Sequence, residues 1–321
     1  MADVLIGSYP RRTGIWPGKD VDIFAKLTDE SVETITPTDA YQLFLSVLDS
    51  AFPGRITQQP RSIKVDYFKA FLPGSEFIRE AAASLGRTSN LTDSDAFEFS
   101  VDVVPAVHFE SRWGIPNRNQ DIWTRTAAAE RWVYTDPEEL TEKTREMNGR
   151  VSISGRGAYV PTVKAIRQIR SMHLRDDKPG GLYFELLVYE GFNAGRIKGD
   201  SWAEVTTSAL RYLADRLPSV LTSPLCDPVL EQPYSPLPRP ELVVHAAEVF
   251  AGLANAAKDA LTAERCPAAA AWRQIFGTNS KGSVFEVPSG CRSDGTVMPV
   301  FAAASTSPIR GTNEAHGFGR D

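Results

Sequence analysis

Three aspartates set in apolar surroundings are the residues of this chain best suited to chemistry. Asp20 and Asp22 lie in Asp20-Val21-Asp22-Ile23-Phe24, and Asp102 lies in Val101-Asp102-Val103-Val104-Pro105. The apolar neighbours predict β-strands, in which side chains alternate with period two, so Asp20 and Asp22 share one face while Val21 and Ile23 point into the core. Residues 97–104 read as a second strand, and a neighbouring position would bring Asp102 to the same wall. Carboxylates packed that closely repel one another and raise each other's pKa values, so the set makes most sense around a cation. Mg²⁺, or Mn²⁺ in its place, suits oxygen ligands shared with substrate phosphates, and the sequence lacks a His/Cys cluster suited to zinc. Two such ions about 3.5 to 4 Å apart clamp the attacking hydroxyl and the leaving pyrophosphate of a nucleotidyl transfer. In that scheme Asp20 and Asp22 serve both ions. Asp102 serves the ion that activates the attacking sugar hydroxyl, and it can receive the proton.

Gly7-Ser8, about a dozen residues before the acidic strand, would supply the phosphate contact. Glycine lets the backbone approach closely and adopts positive φ, while the serine hydroxyl and nearby amides donate to a triphosphate. Arg11, Arg12 and Lys19 lie near enough in sequence to add positive charge. Each piece has a plainer reading alone, Asp-x-Asp as a solvated strand face and Gly-Ser as a turn. The ordered triplet is what favours a site. Asp66, in the alternating stretch Ser62–Phe68, is a rival for the third acid, but it lacks the Val-Val-Pro continuation.

Gly-Ser, Asp-x-Asp and Val-Asp-Val-Val-Pro, in that order, resemble the polymerase-β-like nucleotidyltransferases, and in particular the bacterial CD-NTases, relatives of the metazoan cyclic GMP-AMP synthase. The likeness continues in Tyr159–Arg170, which looks like the helix joining the two lobes of that family, in Gly180–Leu187, and in Trp272–Gly277. The resemblance implies an α+β fold, a nucleotidyltransferase lobe with a mixed β-sheet packed on a helical C-terminal lobe. Residues 1–158 would form the catalytic lobe, 159–287 the helical lobe with its joining helix, and 288–321 a flexible tail.

The resemblance also implies an activity: nucleoside triphosphates, ATP among them, joined into cyclic or short linear oligonucleotide second messengers, with a part in antiphage defence. Lys164 and Arg170 then become triphosphate contacts, against the alternative that Lys164, Arg167 and Arg170 form a solvated stripe at i, i+3 and i+6. Glu185 reads as structural. Family members usually carry a long helix and several dozen residues before Gly-Ser, where this sequence has Met1 to Ile6. A serine common beside the downstream phosphate contact is here Gly180 or Gly181, and residues 70–96 read as an insertion. Regulatory or conjugating partner proteins are implied as well, since some members have their C-terminus attached to targets, and Gly317-Phe318-Gly319 is similar to such an end. An RNA or protein acceptor, or an inactive nucleotide-binding protein, stays open as an alternative.

The elements that must position these residues are legible in outline. Pro37–Ala51 predicts an amphipathic helix with Tyr41, Phe44, Leu45 and Leu48 on one face, Thr36 as N-cap and Pro37 at the first helical position. Ser62–Phe68 alternates like a strand that pairs near the one carrying Asp102. Residues 111–158 mix Trp113, Trp123 and Trp132 with Arg, Asn and Pro, which suits irregular structure over a cleft, with the tryptophans stacking on a base or covering the core. Gly155-Arg156-Gly157 lacks the third glycine of a dinucleotide fingerprint and reads as a loop. Pro233–Pro240 reads as an extended connector and Glu241–Glu264 as a helix.

The chain has 321 residues, 42% of them hydrophobic, enough for two lobes. A net charge of −5 without a long basic run argues against a duplex nucleic-acid binder. Cys226, Cys266 and Cys291, odd in number and widely spaced, read as small buried hydrophobes in a reducing cytoplasm. No apolar run approaches the roughly 20 residues that span a bilayer, and the N-terminus lacks the basic start of a signal peptide, so a cytoplasmic protein with no membrane contact is expected.

Overall fold

The structure, a computed structural model, describes residues 2–15, 20–70, 97–117, 132–174, 178–234, 237–279 and 282–298. The N-terminal half is built on a sheet. Its strands are β1 (Ala2–Ile6), β2 (Asp20–Ser31), β3 (Ile56–Gln58), β4 (Ile63–Ala70), β5 (Phe97–Phe109), β6 (Arg112–Pro116) and β7 (Trp132–Thr135). They run in the order β1-β2-β5-β4-β3, with β6 beside β5 and β7 beside β6. Only the central pair, β2 and β5, is parallel; β1, β4 and β6 pair antiparallel with their neighbours.

Period-two alternation gives the sheet two different faces. One carries Ala25, Leu27, Val65, Val103 and Val107, covered by helix α1 (Pro37–Ala51) through Ala40, Tyr41 and Phe44. The start of α1 is set by Thr36, whose hydroxyl accepts from the Asp39 N–H at 3.1 Å, and by Pro37, where a missing N–H costs nothing. The other face carries Asp20, Asp22, Phe24, Asp102, Val104 and Ala106. Val21 and Ile23 lie on the α1 side by alternation but are only half-buried.

The second half is helical: α2 (Pro137–Arg150), α3 (Tyr159–His173), α4 (Gly181–Asn193), α5 (Trp202–Arg216), α6 (Pro240–Thr262) and α7 (Arg265–Phe276). Helix α4 is largely apolar, with Tyr183 through Val188 buried, as befits a helix enclosed by others; its acids Glu185 and Glu190 are paired with Arg11 and Arg216. Helix α3 packs Val163, Ile166 and Ile169 into the same core, which also takes Met147 from α2 and Phe250 from α6. Helix α5 begins at a capping box between Ser201 and Glu204, two orphan backbone donors satisfied at once.

Several expectations are corrected. Residues 111–158 are ordered where described: β6, β7 and α2 form there, and Trp113, Ile115 and Val133 pack with Phe24 and Val104. Trp113 meets Phe24 edge-on at 5.9 Å between ring centroids and Trp132 is buried, while Trp123 lies outside the described residues. Gly155-Arg156-Gly157 belongs to a tight hairpin, Ser152–Ile153 (β8) with Arg156–Gly157 (β9), turned by positive φ at Ser154 and Gly155.

Cys266 and Cys291 are joined in a disulfide, their Cα atoms 5.3 Å apart, and Cys226 is exposed, so none of the three is a buried free thiol. The bond is possible because residues 288–298 fold back onto α7: Cys291 bridges Val297, and Gly295 lies against Pro267 and Ala270. Within the stretch from Pro288, Cys291 and Gly295 are buried against α7 while the residues between and after them are exposed. Of the insertion expected at 70–96, Ala70 ends β4, and the rest, like residues 299–321, lies outside the described residues. Among the described residues no helix is long and apolar enough to cross a membrane.

Candidate active site

The β2–β5 register decides how the acids meet. Asp22 pairs directly with Asp102 across the parallel ladder, and Asp20, two residues before Asp22, lies on the same face. Their interaction shows in their titration. Burial first, then the charges of Asp20 and Asp102, push the Asp22 carboxyl up to about 6, against the opposing pull of Arg11 and Arg167. Burial and Asp20 likewise raise Asp102, which Lys64 partly offsets. One Asp102 oxygen, Oδ1, is buried without a hydrogen-bond partner.

Gly7 ends β1 directly over this pair. Ile6 is the ladder partner of Asp22, and Gly7 turns away with φ +74°; a Cβ there would lie 1.8 Å from Asp22 Oδ2. Only glycine permits both the approach and the backbone conformation. The loop then closes on itself, with Thr13 N–H donating to Ser8 carbonyl at 2.9 Å and Arg12 N–H to Tyr9 carbonyl at 3.0 Å.

A buried carboxylate on α4 anchors that loop. Glu185 accepts from Arg11 Nε at 2.7 Å and from Thr13 Oγ1 at 3.1 Å, and Arg167 on α3 lies 3.7 Å away while donating to the Thr13 carbonyl at 3.2 Å. Glu185 thus has the structural role its sequence suggested, tying the Gly7-Ser8 loop to the helical lobe. Arg11 is consumed in that tie, Arg12 is exposed, and Lys19 lies outside the described residues.

Of the basic residues on α3, Arg167 is the one beside the loop and the acids. Lys164 is exposed along a groove with Gly14, Ile15 and Trp202. Arg170 donates to the Pro179 carbonyl at 2.7 Å and lies over the Phe184 ring, where burial, then Arg167, lowers its pKa to about 10. Arg167 also packs on the start of α4: a Cβ on Gly181 would meet its guanidinium at 2.9 Å. The glycine standing where a serine was expected therefore makes room for an arginine. Asp66, the rival acid, is level with Ser100 and is paired with Lys64 at 2.6 Å and with Thr57 at 3.2 Å.

Among the described residues no three His, Cys, Asp or Glu side chains are drawn close enough to hold a metal as they stand. The acids share a wall without forming a closed cage. A divalent ion nevertheless fits the wall, since Asp102 Oδ1 is buried and orphaned, and burial, with Asp20 nearby, holds the Asp22 and Asp102 carboxyls above their ordinary range.

No protein-family model and no curated protein sequence matches the chain. Solved structures do. The CdnC of E. coli MS115-1 with ATP superposes with a TM-score of 0.59 at 14% identity, over 87% of this chain and 83% of that one. The chain shares the CD-NTase fold. The Bradyrhizobium diazoefficiens CD-NTase CdnG with GTP gives 0.56 at 13% identity, over 86% and 82% of the two chains. The Vibrio cholerae DncV cyclic AMP-GMP synthase with nonhydrolyzable GTP gives 0.58 at 13%, over 87% and 70%. The expected α+β architecture, a mixed sheet beside a helical lobe, is therefore present.

Proposed function

We propose that this chain is a metal-dependent nucleotidyltransferase that joins nucleoside triphosphates into cyclic or short linear oligonucleotides. The observation that carries the reading is the pairing of Asp22 with Asp102 on one sheet face, with Asp20 beside them and Gly7 closed over Asp22. Residues 1–158 then act as the catalytic lobe and 159–287 as the helical lobe, with the chain from 288 as an appendage.

Asp20, Asp22 and Asp102 would hold Mg²⁺ or Mn²⁺, which when bound stabilises the charge developing on attacking and leaving oxygens. The chain's own groups set up the rest. Gly7 brings backbone amides close to the acids, and the Ser8 hydroxyl adds a donor for the triphosphate. Arg167 supplies the cation from the joining helix, with Lys164 and Arg170 at the margins of the same lobe. Asp102 would accept the proton of the attacking sugar hydroxyl.

The bound ATP and GTP in the neighbouring structures support nucleoside triphosphates as substrates. CdnC has also been solved with a HORMA protein, which supports a regulatory partner here. A role in antiphage defence inside the cell completes the proposal. Incubation with all four ribonucleotides and Mg²⁺ or Mn²⁺, followed by chromatography and mass spectrometry, tests it. A small oligonucleotide formed without an added acceptor is expected. Labelling of an RNA or protein acceptor, with no small product, would replace it with acceptor-directed transfer, and triphosphate binding without pyrophosphate release would indicate an inactive binding protein.

A further inference from the structure

Arg61 lies in the turn between β3 and β4 and is the shared wall of two adjoining cavities, of about 370 and 490 Å³, between the sheet and the helical lobe. Both volumes are in the range of small-molecule sites, roughly 300 to 1,000 Å³. The turn is rigid. The Tyr41 hydroxyl, on α1, donates to the carbonyls of Gln59 at 3.3 Å and Ser62 at 3.0 Å, and Gln59 N–H donates to the Ser62 carbonyl at 3.0 Å.

The Arg61 guanidinium lies at the wall that the two cavities share. Among the described residues it makes neither an ion pair nor a hydrogen bond, and burial lowers its pKa, with only Tyr234 opposing. A half-buried guanidinium whose donors meet no acceptor among the described residues is suited to a ligand that supplies acceptors. The surrounding walls say which kind. Tyr134, Leu182 and Tyr234 offer surface to a flat ring, and Asn117, Asp227 and Lys178 offer polar groups to its edges.

The place also fits a nucleotide whose phosphates lie at Gly7. Ile115, in one cavity wall, packs with Val104 and Ala106 on the face that carries Asp102. Ala106 is four residues beyond Asp102, about 13 Å at strand rise.

Resting on the function proposed above, we infer that Arg61 reads the base of a nucleotide whose phosphates lie at the acids, and that it selects guanine. Guanine offers two acceptors, O6 and N7, to a guanidinium fork, whereas adenine presents a donor at N6 where the arginine also donates. One such bidentate contact corresponds to roughly tenfold discrimination or more.

Competition of GTP and ATP analogues with a non-hydrolysable α,β bridge against a fluorescent nucleotide, with Mg²⁺ and the full chain, tests this. The wild type should favour the GTP analogue by about tenfold, and R61K, which keeps the charge but loses the fork, should bring the ratio within about twofold with ATP-analogue affinity unchanged. An unaltered ratio in R61K, or equal affinities in the wild type, would overturn the inference while leaving the proposed function standing. If R61K does not fold, R61Q, which keeps a polar side chain without the guanidinium fork, is read in its place, and an unaltered ratio there overturns the inference equally. Failure of the wild type to bind either analogue would instead sink the proposed function, and the inference with it.

Discussion

Asp22 and Asp102 face each other across adjacent parallel strands although 80 positions separate them, the difference 102 − 22. Neighbouring ladder positions put side chains on one face, so the two carboxylates cannot avoid each other. Burial first, then neighbouring carboxylates, raises the affinity of both for protons.

The effect has a sign that can be measured. Asp22 titrates near 6 in the fold against 3.8 ordinarily, so the folded chain binds the proton more tightly than the unfolded one. The stability this gives is complete below pH 4 and is lost as pH rises through about 6. Asp22→Asn should therefore leave stability unchanged below pH 4 and raise it by about 1 to 3 kcal/mol above pH 6. Thermal melts of both proteins from pH 4 to 8, without divalent ions, check this; a gap that does not widen with pH would count against it.

Gly7 and Asp22 form the tightest relationship in the site. Gly7→Ala must either push aside the Asp22 carboxylate or distort a backbone already at φ +74°. A loss of about 1 to 2 kcal/mol from the left-handed conformation alone is expected, with nucleotide turnover falling at least tenfold. Ser8→Ala should leave stability nearly untouched, and the two variants are separated by chemical denaturation alongside a pyrophosphate-release assay.

Glu185 holds the phosphate loop to the helical lobe through Arg11, Thr13 and Arg167. Glu185→Ala leaves the Arg11 guanidinium buried and unpaired, so a loss of about 3 to 5 kcal/mol is expected. Glu185→Gln keeps acceptors and should lose less. Urea titrations of both variants read the difference, and equal loss in the two would show that the charge itself is unimportant.

The Cys266–Cys291 bond closes a loop of 25 residues. Removing it by Cys266→Ser with Cys291→Ser should cost about 3 kcal/mol, from the chain entropy restored to the unfolded state. Melting with and without reductant checks the same point: the wild type should fall to the level of the double variant, which reductant should not affect.

How much of this was legible in the sequence depended on what each pattern encodes. Period-two alternation placed Asp20 and Asp22 on one face, and the Thr36-Pro37 cap located α1 at its observed bounds, because both are local rules. The pairing of Asp22 with Asp102 is a register, which local rules only permit. Which cation of the joining helix approaches the loop was less accessible. Each step of three residues turns about 60° back around a helix, so Lys164 and Arg170 lie about 120° apart and a charge stripe does not tell which member faces the acids. The structure puts Arg167 there. Nor does spacing predict a disulfide, since it forms only where residues 288–298 fold back onto α7. Strands β6 and β7 were hidden by the Arg, Asn and Pro of the stretch that holds them, while Trp113 and Trp132 pack on Phe24 and in the core, the second of the two roles the sequence allowed them.

The central claim is that Asp20, Asp22 and Asp102 jointly hold divalent ions against a bound triphosphate. Titration of Mn²⁺ followed by electron paramagnetic resonance, in the presence of a non-hydrolysable triphosphate, reads this directly. The wild type should bind Mn²⁺ at the triphosphate in excess of the free nucleotide's own capacity, and Asp22→Asn and Asp102→Asn should each weaken that binding at least tenfold. Equal Mn²⁺ binding by the wild type and both variants would contradict the account.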